Sequence, residues 1–171
     1  MTGFLTRFRV ALGFLLGGLV LWLSNPVWST WVAGVVVAAY GELLRIWAAG
    51  HLEKSREVTS SGPYRFTRHP LYMGSTLIGI GVAVASASVA VAAMIGVYLA
   101  LTLSAARRSE EAHLREKFGD AYDAYVERRA QPMRRRFSLA RALRNREHHT
   151  VAGLVAGFTL LAAKIVGLPG W

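Results

Sequence analysis

Apolar residues along this chain come in long blocks broken by short polar intervals, with neither the strict alternation of a half-buried strand nor a heptad seam. A helix needs about 20 apolar residues to cross a bilayer. The first block, residues 8–23, is short, but it is extended by snorkelling Arg7 and Arg9 and by an interfacial Trp22. Ser24-Asn25-Pro26 turns the chain, and a second span covers about residues 27–50, with Trp28 and Trp31 as an aromatic belt at its start. From Leu71 to about Ala105 the chain stays apolar, too far for one crossing. Ser86-Ala87-Ser88 breaks this block, which predicts an antiparallel hairpin of two short helices. Val151–Leu168 makes the fifth span.

A different period governs residues 107–126. Leu114, Phe118, Tyr122 and Tyr125 follow one another at helical spacing and define an amphipathic face. Running that stripe backward reaches Glu111 and Arg107, so both are expected on the pocket-facing side, where the helix meets the membrane. Gly119 interrupts the helix. The predicted fold class is therefore all-α integral membrane. It has about five transmembrane helices, a short helical hairpin and a cytoplasmic interfacial helix, in one domain over residues 1–171.

Composition agrees: the chain is 53% hydrophobic, with a mean hydropathy of +0.34. A net charge of +10 would suit nucleic acid, but no soluble core underlies the basic residues. Apart from Glu42, Arg45 and Lys164, every Asp, Glu, Lys and Arg lies in the N-terminal tail, in residues 51–70 or in residues 106–149. The intervening loops carry no charge. This positive-inside alternation places the N-terminus and both charged segments in the cytoplasm and the C-terminus outside. Val10–Leu23 is followed by Ser-Asn-Pro and tryptophans, not by a small-residue cleavage site, so it reads as a span and not a cleaved leader. Cysteine is absent, which removes disulfides, a thiolate nucleophile and Cys-ligated metal.

The polar run from Ser60 to Tyr72 is the centre of the candidate chemistry. Pro70 suits the first position of the following apolar helix and makes His69 its N-cap. A helix N-terminus attracts carboxylate or phosphate. Gly62-Pro63 turns Tyr64 toward the same place. Because this run and the 106–149 segment flank one hairpin on one side of the membrane, they can close over a shared pocket. A plain basic surface loop is the other reading.

Elsewhere the candidates are fewer. Glu42 and Arg45, three apart inside the second span, read as a pair facing the bundle interior, either packing helices or touching a ligand. Lys164 reads as a lysine snorkelling to the outer surface. The Gly13/Gly17 and Gly153/Gly157 spacings arise readily by chance in glycine-rich membrane helices. His148-His149 has no further ligand at metal spacing, so no metal site is expected. The arginines from Arg134 to Arg146 read as a tail on the anionic inner leaflet.

Together, Gly62-Pro63-Tyr64, Arg68-His69-Pro70-x-Tyr72 and Glu110-Glu111-x-x-Leu114-x-x-x-Phe118-Gly119-x-x-Tyr122-x-x-Tyr125 resemble the isoprenylcysteine carboxyl methyltransferase family and its phospholipid N-methyltransferase relatives. Gly41-Glu42-Leu43-Leu44-Arg45 resembles the helix preceding the motif. The likeness covers about residues 40–128; the last span lies beyond it. Departures are Val126-Glu127-Arg128, where the family often has a Val-Pro-Arg ending, and Arg56, where a His is frequent. The resemblance implies a membrane-embedded S-adenosylmethionine enzyme without a Rossmann fold. It implies that Tyr64, His69, Pro70 and Tyr72 line the cofactor pocket. Glu111, with Glu110, would hold the cofactor's polar end, and Arg107 would face the methyl acceptor.

Methyl transfer from a sulfonium is an in-line displacement that needs alignment and exclusion of water, and neither metal nor cysteine. The expected function is S-adenosylmethionine-dependent methylation of a lipophilic acceptor at the membrane–cytosol boundary, of the isoprenylcysteine carboxyl O-methyltransferase type, with phospholipid N-methylation or thiol S-methylation as alternatives and membrane lipids as partners. A carboxylate acceptor would be oriented by Arg107, an amine would need a base such as Glu110, and a thiol would react as its thiolate. The competing classes are an NADPH-dependent sterol-type reductase and a non-catalytic lipid-binding protein.

Overall fold

The computed structural model describes residues 15–54, 56–131 and 133–167. Among these the chain is helical, without strands. Residues 15–23 (α1) lead to α2, Trp28–Ala49, which begins after Pro26 where the Thr30 hydroxyl pairs with both backbone groups of Val27. A 3-10 turn, Gly62–Arg65, precedes α3, Pro70–Ser86. Ala87 takes a left-handed conformation (φ 47°) to end α3. Ser88 then caps α4, Val89–Phe118, by accepting from the Val91 N–H at 3.4 Å. Short helices α5, Asp120–Val126, and α6, Leu139–Arg144, lead to α7, Glu147–Ile165.

α2, α4 and α7 are long and apolar enough to cross a bilayer; α3 is apolar but has 17 residues. The remainder of the expected first span lies outside the described residues. Large apolar side chains such as Val89 and Leu101 face outward along these helices, which suits a hydrocarbon solvent. The hairpin break falls at Ser86–Ser88 as the polar interruption predicts. Its second arm, however, is not short: α4 runs unbroken for 30 residues, so residues 107–118 continue the membrane helix and only α5 is a separate helix. Nothing between Ala105 and Phe118 breaks a helix, and arginine and glutamate are good helix formers.

The tightest seam joins α2 to α3. A Cβ placed on Gly41 would sit 2.7 Å from the Gly74 carbonyl oxygen, and one on Gly81 would sit 2.6 Å from the Gly34 carbonyl oxygen. Backbones approach this closely only where side chains are missing. Gly17, Gly153 and Gly157 meet nothing within 4 Å, so the spacings noted there form no such contact; Gly13 lies outside the described residues.

α7 is tied in by polar groups. The Trp31 indole donates to the Phe158 carbonyl at 2.8 Å. Lys164 does not reach for the outer surface: its ammonium donates to the Leu21 and Trp22 carbonyls at 2.7 and 3.0 Å, closing the C-terminal end of α1. The segment expected to lie on the leaflet as a basic tail is also built into the fold. Asn145 donates to the carbonyls of Ala49 and Leu52 at 2.9 and 3.0 Å, and Arg141 donates to that of Gly50, so the end of α2 is capped from α6. Arg141 also pairs with Glu53 at 2.8 Å, and Arg135 pairs with Glu57. A helix end leaves carbonyls without partners, and these side chains supply the donors.

Candidate functional site

Pro70 opens α3 as its sequence position requires, which turns His69 out of helical geometry (φ −130°, ψ 56°). The His69 side chain does not cap its own helix. It crosses to α4, where Nε2 lies 2.8 Å from Glu111 Oε1. Arg68 and Arg107 each approach the same oxygen at 3.7 Å. One turn along α3, Tyr72 stacks on the His69 ring, with centroids 5.4 Å apart and planes 17° from parallel. The Tyr72 hydroxyl donates to Glu110 Oε2 at 2.6 Å. Two residues from each motif are thus joined in pairs across the hairpin, His69 to Glu111 and Tyr72 to Glu110.

Beside these pairs lies a cavity of about 660 Å³. Arg68, His69, Glu110 and His113 line it, together with Tyr64, Tyr72, Tyr122 and Tyr125. Leu71, Leu103, Ala106 and Leu114 supply its apolar wall, and Arg45, Ser75 and Glu147 its inner end. Leu103 also lines an apolar groove between α3 and α4 that runs past Gly79, Ile80 and Leu99. The cavity therefore stands where polar residues meet the membrane-facing groove.

α5 forms its cover. Gly119 (φ 45°) breaks the helix, and the chain then returns Tyr122 and Tyr125 to the cavity. The Tyr125 hydroxyl donates to the Tyr64 carbonyl at 2.8 Å, latching α5 to the 3-10 turn. Tyr122 is 1% exposed, and its hydroxyl has no hydrogen-bond partner among the described residues. Burial pushes the Tyr64 phenol above its ordinary range. Burial and neighbouring Tyr122 push the Tyr125 phenol up to about 12. Both phenols are therefore hydrogen-bond donors near neutral pH and not bases.

The stripe predicted on residues 111–125 holds for Glu111, Leu114, Phe118, Tyr122 and Tyr125, which are buried or half-buried. It fails at Arg107. That side chain is 59% exposed and is absent from the cavity lining, because the row of α4 that faces the cavity runs through Leu103, Ala106, Glu110 and His113 and leaves Arg107 to one side. Glu110, not Glu111, lines the cavity; Glu111 is turned to the three basic groups at its rim.

A second polar cluster was legible only in part. Arg45 makes its main contacts not with Glu42 but with Glu147 on α7, through Nε and Nη2 at 3.1 Å each, and it donates to the Ser75 hydroxyl at 2.6 Å. Glu42 stands 3.6 Å from Arg45 Nε, close enough for an ion pair, but its carboxylate accepts no hydrogen bond. Glu147 precedes its span in the chain, and no local pattern links it to Arg45, 102 residues away.

A cofactor of the S-adenosylmethionine type brings a sulfonium, a zwitterionic end and an aromatic base. The cavity offers matching chemistry in the carboxylates of Glu57, Glu110 and Glu147, the stacked His69 and Tyr72 rings, phenol donors and the Arg45 and Arg68 guanidiniums, with one buried phenol lacking a partner among the described residues. Its volume falls within the usual range of roughly 300–1,000 Å³ for ligand pockets. The residues present fit the group.

The comparisons point the same way. The phospholipid methyltransferase family profile matches residues 8–121. The chain is 30% identical over 143 residues to the nickel-cobalt-cadmium resistance protein NccN of Alcaligenes xylosoxydans xylosoxydans, covering 75% of this chain and 65% of that protein. It is 31% identical over 133 residues to the cobalt-zinc-cadmium resistance protein CzcN of Cupriavidus metallidurans, covering 69% of this chain and 60% of that protein. The chain thus spans less than two thirds of the length of either relative. No solved structure matches it. With the match extending over most of the chain, and with both motif halves brought together across one hairpin, the chain belongs to the phospholipid methyltransferase family, a relative of the isoprenylcysteine carboxyl methyltransferases its motifs resemble.

Proposed function

We propose that this protein transfers a methyl group from S-adenosylmethionine to a lipophilic acceptor at the membrane–cytosol boundary. The observation that carries the reading is the cavity between α3, α4 and α5, polar where it meets the 51–69 loop and sharing Leu103 as a wall with a neighbouring apolar groove. The cofactor supplies an electrophilic methyl on a positively charged sulfur.

This chain's residues bind, orient and exclude water. Tyr64, His69 and Tyr72 form the wall at the start of α3, where the helix dipole and Arg68 favour a carboxylate end; Pro70 opens the helix there but does not line the cavity. Glu111 holds His69 in place by accepting at 2.8 Å, and Arg107 braces Glu111 at the rim. Glu110 faces the cavity, held through Tyr72, and is positioned to accept a proton from an amine acceptor. α5 and its tyrosines keep solvent from the reacting atoms.

A carboxylate acceptor, as in the isoprenylcysteine enzymes, is the second reading; it would draw on Arg68 within the cavity and Arg107 at its rim. The alternating charge pattern favours the cytoplasm for the basic segments, and on this reading the soluble donor enters from that side and the acceptor from the lipid. The names of the two relatives speak of metal resistance and not of a reaction.

The test has two steps. Isothermal titration of the purified chain with S-adenosylhomocysteine and with NADPH separates a transferase from a reductase. Mass spectrometry of lipid extracts incubated with the chain and a labelled methyl donor then identifies the acceptor. Binding of neither cofactor would leave a lipid-binding protein.

A further inference from the structure

Behind the 3-10 turn lies a second groove, of about 630 Å³, that the methyl-transfer reading does not use. Tyr64 faces the cavity described above, whereas the next residue, Arg65, lines this groove on the other side. Opposite it runs the segment after residue 132, where half-buried and exposed residues alternate as in an extended strand. Met133 and Arg135 are the inward residues. The Met133 N–H donates to the Ser60 hydroxyl at 3.2 Å, and Arg135 pairs with Glu57 and donates to the His51 carbonyl at 3.2 Å. The Ser138 N–H donates to the Gly50 carbonyl at 3.1 Å and fixes the far end. Arg135, which also lines the groove, is taken up by Glu57 and the His51 carbonyl, whereas Arg134 and Arg136 line it as exposed residues and Gln131 adds an amide.

The charge on these three arginines has no acidic side-chain partner among the described residues. The chain has ten acidic residues, all of them described, and none forms a salt bridge to Arg65, Arg134 or Arg136. Glu53 and Glu57, the acidic residues of the neighbouring loop, are engaged by Arg135, Arg141 and Arg144. Three guanidiniums held around one groove by an anchored backbone repel each other unless an anion sits between them. Guanidiniums match phosphate oxygens with paired, planar hydrogen bonds. Phe66, adjoining Arg65, is 75% exposed, an apolar anchor of the kind that enters a lipid surface.

We propose that the groove bounded by Arg65, Arg134 and Arg136 is a binding site for a phosphate group carrying more than one negative charge, such as a lipid phosphomonoester or a free phosphate. The site does not depend on the methyl-transfer reading. It shares only the 3-10 turn with the reaction cavity.

The test uses the full chain in phosphatidylcholine nanodiscs with and without phosphatidic acid, with native mass spectrometry counting the acidic lipid retained after extraction. A parallel arm titrates the detergent-solubilised chain with inorganic pyrophosphate. Wild type is expected to retain phosphatidic acid. The combined Arg65→Gln, Arg134→Gln and Arg136→Gln variant should lose about a hundredfold in affinity, since each basic residue near an anionic surface contributes about fivefold. Arg108→Gln, an exposed and unpaired arginine elsewhere, should lose nothing. Single Arg134→Gln and Arg136→Gln variants, each with a smaller loss and an unchanged unfolding temperature, guard against a folding defect in the combined variant. Groove-dependent binding in the lipid arm assigns a lipid headgroup, and groove-dependent binding in the pyrophosphate arm alone assigns a free phosphate. Equal loss in Arg108→Gln, or no loss in the groove variants, overturns the site.

Discussion

Two clusters of arginine and glutamate touch α3, and they behave differently. Arg45, Ser75 and Glu147 lie inside the bundle: Arg45 makes a two-pronged contact with Glu147, which is 6% exposed. Around Glu111, by contrast, only His69 is in hydrogen-bond contact. Arg68 and Arg107 stand off at 3.7 Å with substantial exposure. In a low-dielectric interior a charge without a close partner is costly, and Arg45 and Glu147 meet that demand in each other. At a water-facing rim the same residue types can remain loosely arranged and free to meet a ligand. Composition does not separate these roles; the geometry and solvent exposure of the donors do.

The largest effect is expected at the inner cluster. Arg45→Met strands Glu147 and should destabilise the chain by about 3–5 kcal/mol, as removal of one partner of a buried pair does. Thermal unfolding in detergent measures this, and a loss below about 1 kcal/mol would make the two clusters alike. Next comes Gly74→Ala, whose new Cβ would meet the Gly41 carbonyl oxygen at 2.6 Å and the Arg45 stem at 2.5 Å. It should cost about 1–3 kcal/mol by overpacking, read in the same assay.

At the outer cluster the effect should fall on binding and not on folding. His69→Ala should weaken S-adenosylhomocysteine binding by about 1–3 kcal/mol while the unfolding temperature barely moves. Retained affinity would make His69 a purely structural residue. Arg107→Lys should change stability by under about 1 kcal/mol, as exposed ion pairs do. If its turnover nevertheless fell about tenfold at unchanged donor affinity, Arg107 would be an acceptor clamp despite its exposure.

The smallest effect concerns pH. Burial, then Arg141 and Arg135, hold His51 below its ordinary pKa of 6.5. Between its folded pKa and 6.5 the unfolded chain binds more protons there, so stability is lost as pH falls through that window. His51→Gln should flatten the stability–pH curve just below pH 6.5, and an unchanged slope would remove His51 as its source.

The sequence by itself determined the all-helical membrane class, the break at Ser86–Ser88, the opening of α3 at Pro70 and the stripe from Glu111 to Tyr125. Each is a local matter: a run of apolar residues, a missing N–H or a helical period. Tertiary structure decided which charges meet. Glu147 rather than Glu42 became the main partner of Arg45, Lys164 turned inward to the end of α1, and residues 133–146 became a cap on α2 and not a tail. Arg107, on the predicted stripe, stayed in solvent because the cavity-facing row of α4 runs through Leu103, Ala106 and Glu110 instead. Pairings over a hundred residues of chain leave no period to read. They arise because buried donors and acceptors must find partners wherever the packed helices bring them together.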